Sequence, residues 1–118
     1  MADDKIFDMQ QLLDSTCDDK ELAVQVVGVF LCDIPMQLKE LDKALSGNDA
    51  KTAERVAHSI KGAAATVGGE PLRAISYECE QLGRDAKLEE LQTLVPELKA
   101  RYEALRDVLL AEGFVENP

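Results

Sequence analysis

The sequence predicts an all-α protein: an antiparallel up-down-up-down four-helix bundle with a short additional N-terminal helix. Three observations predict it. Apolar residues recur in steps of three and four along almost the whole chain, the period of an amphipathic helix. No alternating β-branched run bounded by turn residues marks a strand. The periodic segments are separated by only a few residues, which makes consecutive helices antiparallel neighbours. The 118 residues are expected to form a single domain over 1–118, with one core that needs no metal or disulfide support.

A short helix is expected near residues 7–14. The first long stripe is Val24, Val27, Leu31, Ile34, Leu38, Leu41 and Leu45, with a kink expected at Pro35. Gly47 stops it, and Asn48 or Asp49 opens the next helix. That helix, about 48–67, carries Ala53, Val56, Ile60, Ala63 and Val67. Gly68-Gly69-Glu70-Pro71 reads as a turn, with Pro71 suited to a first helical position. The following helix, about 70–86, has the stripe Leu72, Ile75, Cys79, Leu82 and Ala86. The last stripe is Leu91, Val95, Leu98, Tyr102, Leu105 and Leu109, kinked at Pro96.

Composition excludes several function classes. A formal net charge of −10 repels nucleic acid and anionic membranes. With two Tyr, three Phe and no Trp there is no stacking platform for bases. The longest unbroken apolar run, residues 26–32, is far shorter than the roughly 18 residues of a membrane span. The first residues have neither the basic start nor the apolar stretch of a signal peptide. Cys17, Cys32 and Cys79 are odd in number and widely spaced, as expected of free thiols in a reducing cytoplasm. One His and three scattered Cys match no metal-ligand spacing. The expected partner is another protein, and the expected state is a monomer.

His58 is the only histidine, and it lies two residues from each of the core positions Val56 and Ile60. At about 100° per residue it points away from the stripe. Lys51, Arg55, Lys61 and Gly62 share its outward face. In the hairpin centred near Gly69, His58 stands eleven residues before the turn and Glu80 eleven after. Both therefore sit about 16 Å from the turn at 1.5 Å per residue. Glu80 follows the core position Cys79 and flanks the helix interface, so its carboxylate can reach the imidazole. Such a contact holds Nδ1 protonated and leaves Nε2 free as a nucleophile.

Lys61 and Gly62 lie one turn beyond His58. Lys61 can place its ammonium beside a negative group carried by the ring. Gly62 costs about 1 kcal/mol relative to Ala in a helix interior, which suggests that space beside the imidazole is wanted. Arg84, one turn past Glu80, adds a second cation. Each residue also has a plain reading. His58 and Lys61 would be ordinary surface residues, and Gly62 would allow close helix packing. Glu80 and Arg84 would form an i, i+4 ion pair worth about 0.3–0.5 kcal/mol. Spacing alone leaves these alternatives open.

The run His58-x-x-Lys61-Gly62-Ala63-Ala64-x-x-Val67-Gly68 closely resembles the signature of histidine-containing phosphotransfer (HPt) domains of two-component phosphorelays. The likeness extends to helix order and lengths over most of the chain. It implies that His58 is phosphorylated on Nε2 and exchanges the group with an aspartate of response-regulator receiver domains. It assigns the lysine role to Lys61 and the small-residue role to Gly62, with Glu80 as the histidine's partner. Arg55, Ala65, Gly68 and Arg84 are the expected surrounding binding residues. Several relay domains of the family carry Gln where Glu80 stands, whereas chemotaxis-kinase phosphotransfer domains carry Glu.

The resemblance further implies a phosphocarrier rather than an enzyme, with no cofactor of its own. Mg²⁺ is expected on the receiver, and a sensor or hybrid histidine kinase is the expected phosphate source. Two other readings stay open at this point. One is the substrate domain of a multidomain kinase; the other is a helical adaptor that works without phosphorylation.

Overall fold

The computed structural model describes residues 6–114. Five helices follow in order: α1 (Met9–Ser15), α2 (Lys20–Ser46), α3 (Ala50–Val67), α4 (Glu70–Arg84) and α5 (Leu88–Ala111). There is no strand among the described residues. Aspartates open three of the helices. Asp8, Asp19 and Asp49 each accept a hydrogen bond from the backbone N–H three residues on, satisfying a donor the helix itself cannot. Pro71 falls in the first turn of α4, where its missing N–H costs nothing.

The four long helices pack each against the next in sequence, and α5 returns to α2 to close the bundle. Contacts between the first and last of them give the direction. Asp42 meets Lys99, while Leu31 accepts a hydrogen bond from Tyr102. Residue numbers fall along α2 as they rise along α5, so the two run antiparallel. Helix α1 packs across α3 and α2. The Asp8 amide donates to the Gly68 carbonyl at 2.8 Å, and Gln11 donates to the Ala65 carbonyl at 3.3 Å. Phe7, also buried, meets Phe114 edge-on at 6.1 Å between ring centroids.

The α5 stripe is buried as expected: Leu91, Val95, Leu98, Tyr102, Leu105 and Leu109 all face the core. The other stripes are displaced at their edges. On α2 the buried residues include Ala23 and Phe30, while Val24 and Leu31 are only partly covered. On α3 Ala57 and Ala64 are buried and Ala63 is partly covered. Leu82 of α4 is partly covered as well. A bundle helix faces two neighbours, so its buried arc is wider than one line of positions, and single-line spacing slips to one side.

Three boundaries differ. α1 starts two residues later than expected, with Phe7 left before the Asp8 cap. α3 begins at Ala50 rather than about 48, with Asp49 as its cap, one of the two openings expected; Asn48 lies before it in a left-handed conformation (φ 53°). α4 ends at Arg84, and Ala86 is exposed and left-handed (φ 55°), not a core position. Both Pro35 and Pro96 lie inside continuous helices, on exposed positions.

The expectation about apolar runs also needs correcting. Within α2 an 18-residue window reaches a mean hydropathy of 1.4, long and apolar enough by composition to cross a membrane. An unbroken-run count misses it because isolated polar residues interrupt the window. Part of that hydropathy is core: Ala23, Val27, Phe30, Ile34 and Leu38 are buried in the bundle. Val29 and Met36 lie outside it, each 68% exposed.

Candidate phosphoacceptor site

α3 and α4 form the tightest pair of the bundle. Gly83 is buried against the backbone of Glu54, and a Cβ there would sit 2.9 Å from the Glu54 amide nitrogen. This close approach lies one turn from the level of His58 and Glu80, and it lets a glutamate side chain span the gap. Glu80 Oε2 is 2.8 Å from His58 Nδ1. The carboxylate is almost wholly buried while the imidazole side chain is 66% exposed.

Glu80 collects more than the histidine. Lys61 Nζ lies 2.7 Å from Oε1, and Arg84 Nη2 lies 3.7 Å from Oε2. The Lys61 contact is a close ion pair with a nearly buried carboxylate. Burial pushes the Glu80 carboxyl up. Donor contacts from Lys61 and His58, with their charges, outweigh burial and hold it below its ordinary value of 4.5. An ionised Glu80 can only accept, so Nδ1 carries the proton and Nε2 keeps its lone pair. The exposed edge of the ring is therefore the nucleophilic one.

The cationic face is more neutralised than spacing implied. Arg55 lies one turn before His58, but its guanidinium pairs with Glu40 of α2 at 2.7 Å. Arg84 bridges helices, with Nε 3.2 Å from Glu54 of α3. Lys51 is exposed. Gly62 is exposed, and a Cβ there would meet nothing within 4 Å. The close-packing explanation of Gly62 therefore fails, and the space beside the imidazole is open. Two of the expected binding residues also have structural partners. Gly68 is a buried, left-handed C-cap (φ 80°), and a Cβ on it would collide with the Asp8 carbonyl oxygen. Its role is to let α1 dock. Ala65, two turns past His58, gives its carbonyl to Gln11.

Two nearby side chains escaped the sequence reading. Glu54 lies one turn before His58 and holds Arg84. Tyr77 lies three residues before Glu80, and Lys61 Nζ is 5.3 Å from its ring centroid. The i−4 and i−3 spacings were visible, but neither residue type announces a role by itself.

The sequence profile described as Hpt domain matches residues 25–108. The chain belongs to the Hpt domain family. A relative in Dictyostelium discoideum, phosphorelay intermediate protein rdeA, is 29% identical over 105 residues. That alignment covers 89% of this chain and 41% of the relative, so the chain spans about two fifths of the relative's length. The crystal structure of histidine-containing phosphotransfer protein B (HptB) from Pseudomonas aeruginosa PAO1 superposes with a TM-score of 0.84. The match covers 91% of this chain and 93% of that one at 22% identity, and it establishes the Hpt bundle as the fold.

Glu80→Ala tests the pairing. The variant should lose the fixed Nδ1–H tautomer and accept phosphate several-fold more slowly, read by ¹⁵N NMR of the single histidine and by transfer rate. The lowered carboxyl also carries a sign for stability. Its contribution is present above about pH 4.5 and is lost as pH falls through the folded value. Glu80→Gln should therefore flatten the acid limb of the stability profile.

Gly62→Gln should leave the fold intact or slightly stabilised, since Gly is about 1 kcal/mol worse than Ala in a helix interior and the site is open. The same variant should slow phosphoryl exchange by crowding the approach to Nε2. Thermal melting and transfer rates, measured on one preparation, separate the two effects.

Proposed function

We propose that this chain is a phosphorelay intermediate: His58 accepts a phosphoryl group from an aspartyl phosphate of a receiver domain and passes it to another. The observation that carries the reading is the exposed imidazole whose Nδ1 is held by a buried, ionised Glu80. In the transfer, the Nε2 lone pair attacks phosphorus and an N–P bond forms. The P–O bond to the receiver aspartate breaks, and that carboxylate leaves with the electron pair. The Nδ1 proton stays in its hydrogen bond to Glu80 throughout, which offsets the charge that builds on the ring. Positioning and neutralisation of phosphoryl charge supply the catalysis, and Lys61, one turn beyond His58 and paired with the same carboxylate, is the cation offered for it.

On this reading the protein is a carrier and not an enzyme, the metal ion Mg²⁺ belongs to the receiver, and a sensor or hybrid kinase charges the relay. It works in the cytoplasm, where receivers reside. The test is incubation with a panel of phosphorylated receiver domains, following label onto this chain and back to unlabelled receivers. Label that never leaves the receivers would end the proposal.

Lys61→Ala should slow transfer by about 10-fold or more, because a cation is lost one turn from the reacting nitrogen. The fold should persist, though removal of one of Glu80's partners is expected to lower the denaturation midpoint slightly. Wild-type single-turnover rates in Lys61→Ala would remove that residue from the chemistry.

A further inference from the structure

We propose that Tyr77 is a positioning residue for phosphoryl transfer, holding the Lys61 ammonium beside the His58–Glu80 pair through the face of its ring. The inference rests on the phosphorelay reading above. Lys61 Nζ lies 5.3 Å from the Tyr77 centroid, inside the range over which a ring quadrupole attracts a cation. The same nitrogen is 2.7 Å from Glu80 Oε1. Lys61 is thus held from α4 on two sides, by the Glu80 carboxylate and by the Tyr77 ring face. Its side chain is only 24% exposed although it grows from the outer side of α3.

This arrangement suits a cation that must change partners. Before transfer the Lys61 charge is spent on Glu80. Afterwards the phosphoryl group on Nε2 presents a stronger anion one turn away. A second carboxylate in place of Tyr77 would compete with that anion. An aromatic face attracts the ammonium without a net charge, so it keeps the cation near the site and leaves it free to turn. Tyr77 is 48% exposed, far more than core packing needs. An apolar side chain covering the lysine stem would serve for packing alone.

The test uses the full chain and a phosphorylated receiver as donor, with the single-turnover rate read at saturating donor. Tyr77→Leu keeps apolar cover but removes the ring face, and should slow transfer roughly 3- to 10-fold. Tyr77→Phe restores the face and should recover the rate to within about twofold. In a Lys61→Ala background, Tyr77→Leu should add nothing, since both act through one ammonium. Equal losses for Phe and Leu, no loss for Leu, or a full further loss without Lys61 would each overturn the proposal. A second measurement needs no phosphate. The Lys61 side-chain protons nearest Nζ should show an upfield ring-current shift in the wild type and in Tyr77→Phe, lost in Tyr77→Leu. Normal transfer with no such shift would overturn the Tyr77 role alone. Failure of the wild type to accept phosphate would overturn the relay reading, and this role with it, while leaving the shift in place.

Discussion

His58→Gln is expected to take up no phosphate from any receiver that labels the wild type. The chain has one histidine, and its exposed ring is held by Glu80 in the tautomer that leaves Nε2 unprotonated. An amide at this position can still donate to Glu80, so the buried carboxylate keeps a partner and the bundle keeps its register. The amide nitrogen has no basic lone pair to attack phosphorus. The loss should therefore be complete while the helical circular-dichroism spectrum and melting curve stay close to wild type. Uptake persisting in the variant would mean that another side chain accepts the group.

Leu98→Ala is expected to give the largest loss of stability, about 2–5 kcal/mol, the range for a buried leucine truncated in a close-packed core. Leu98 is fully buried on α5 in the midst of the bundle. Removing three carbons there leaves a cavity that a four-helix core closes only partly. Leu38 of α2, slightly less covered at 7% exposure, should cost somewhat less on truncation to Ala. Chemical denaturation of both variants checks the order. Unchanged midpoints would show that the faces of α2 and α5 have been assigned the wrong way round. Since whole domains are stable by only about 5–15 kcal/mol, Leu98→Ala should also be the variant most prone to lose its fold in cells.

The features legible in the sequence were those governed by spacing. Equal counts on either side of Gly69 placed His58 and Glu80 level, and they meet at 2.8 Å. The α5 stripe is buried residue for residue, because each 3–4 step there carries a large apolar side chain, and Val108 joins it from a neighbouring row. The α2 stripe slid toward Val24 and Leu31 because periodicity reports a direction and not the width of the contact. Phe30 and Ala23 face the core from the neighbouring rows.

The contacts of the site residues that spacing does not show are tertiary ones. Gly68 looked like part of the signature's chemistry. Its positive φ and its closeness to Asp8 show a backbone requirement set by α1, a helix more than 50 residues away in sequence. Spacing gives Lys61 a place beside the ring, and the structure also pairs it with the buried Glu80 carboxylate. Spacing assigns a long side chain to a face of its helix; the rotamer it takes depends on charges supplied by the next helix. The same limit hid Tyr77, whose only sequence mark is its place one turn before Glu80.

The most direct test of the whole account is the position of the phosphoryl bond on the imidazole. Phosphorylated, ¹⁵N-histidine-labelled protein should show the ³¹P–¹⁵N coupling at Nε2, with Nδ1 still protonated and hydrogen-bonded to Glu80. A coupling at Nδ1, or phosphate on an aspartate with His58 unmodified, would contradict it.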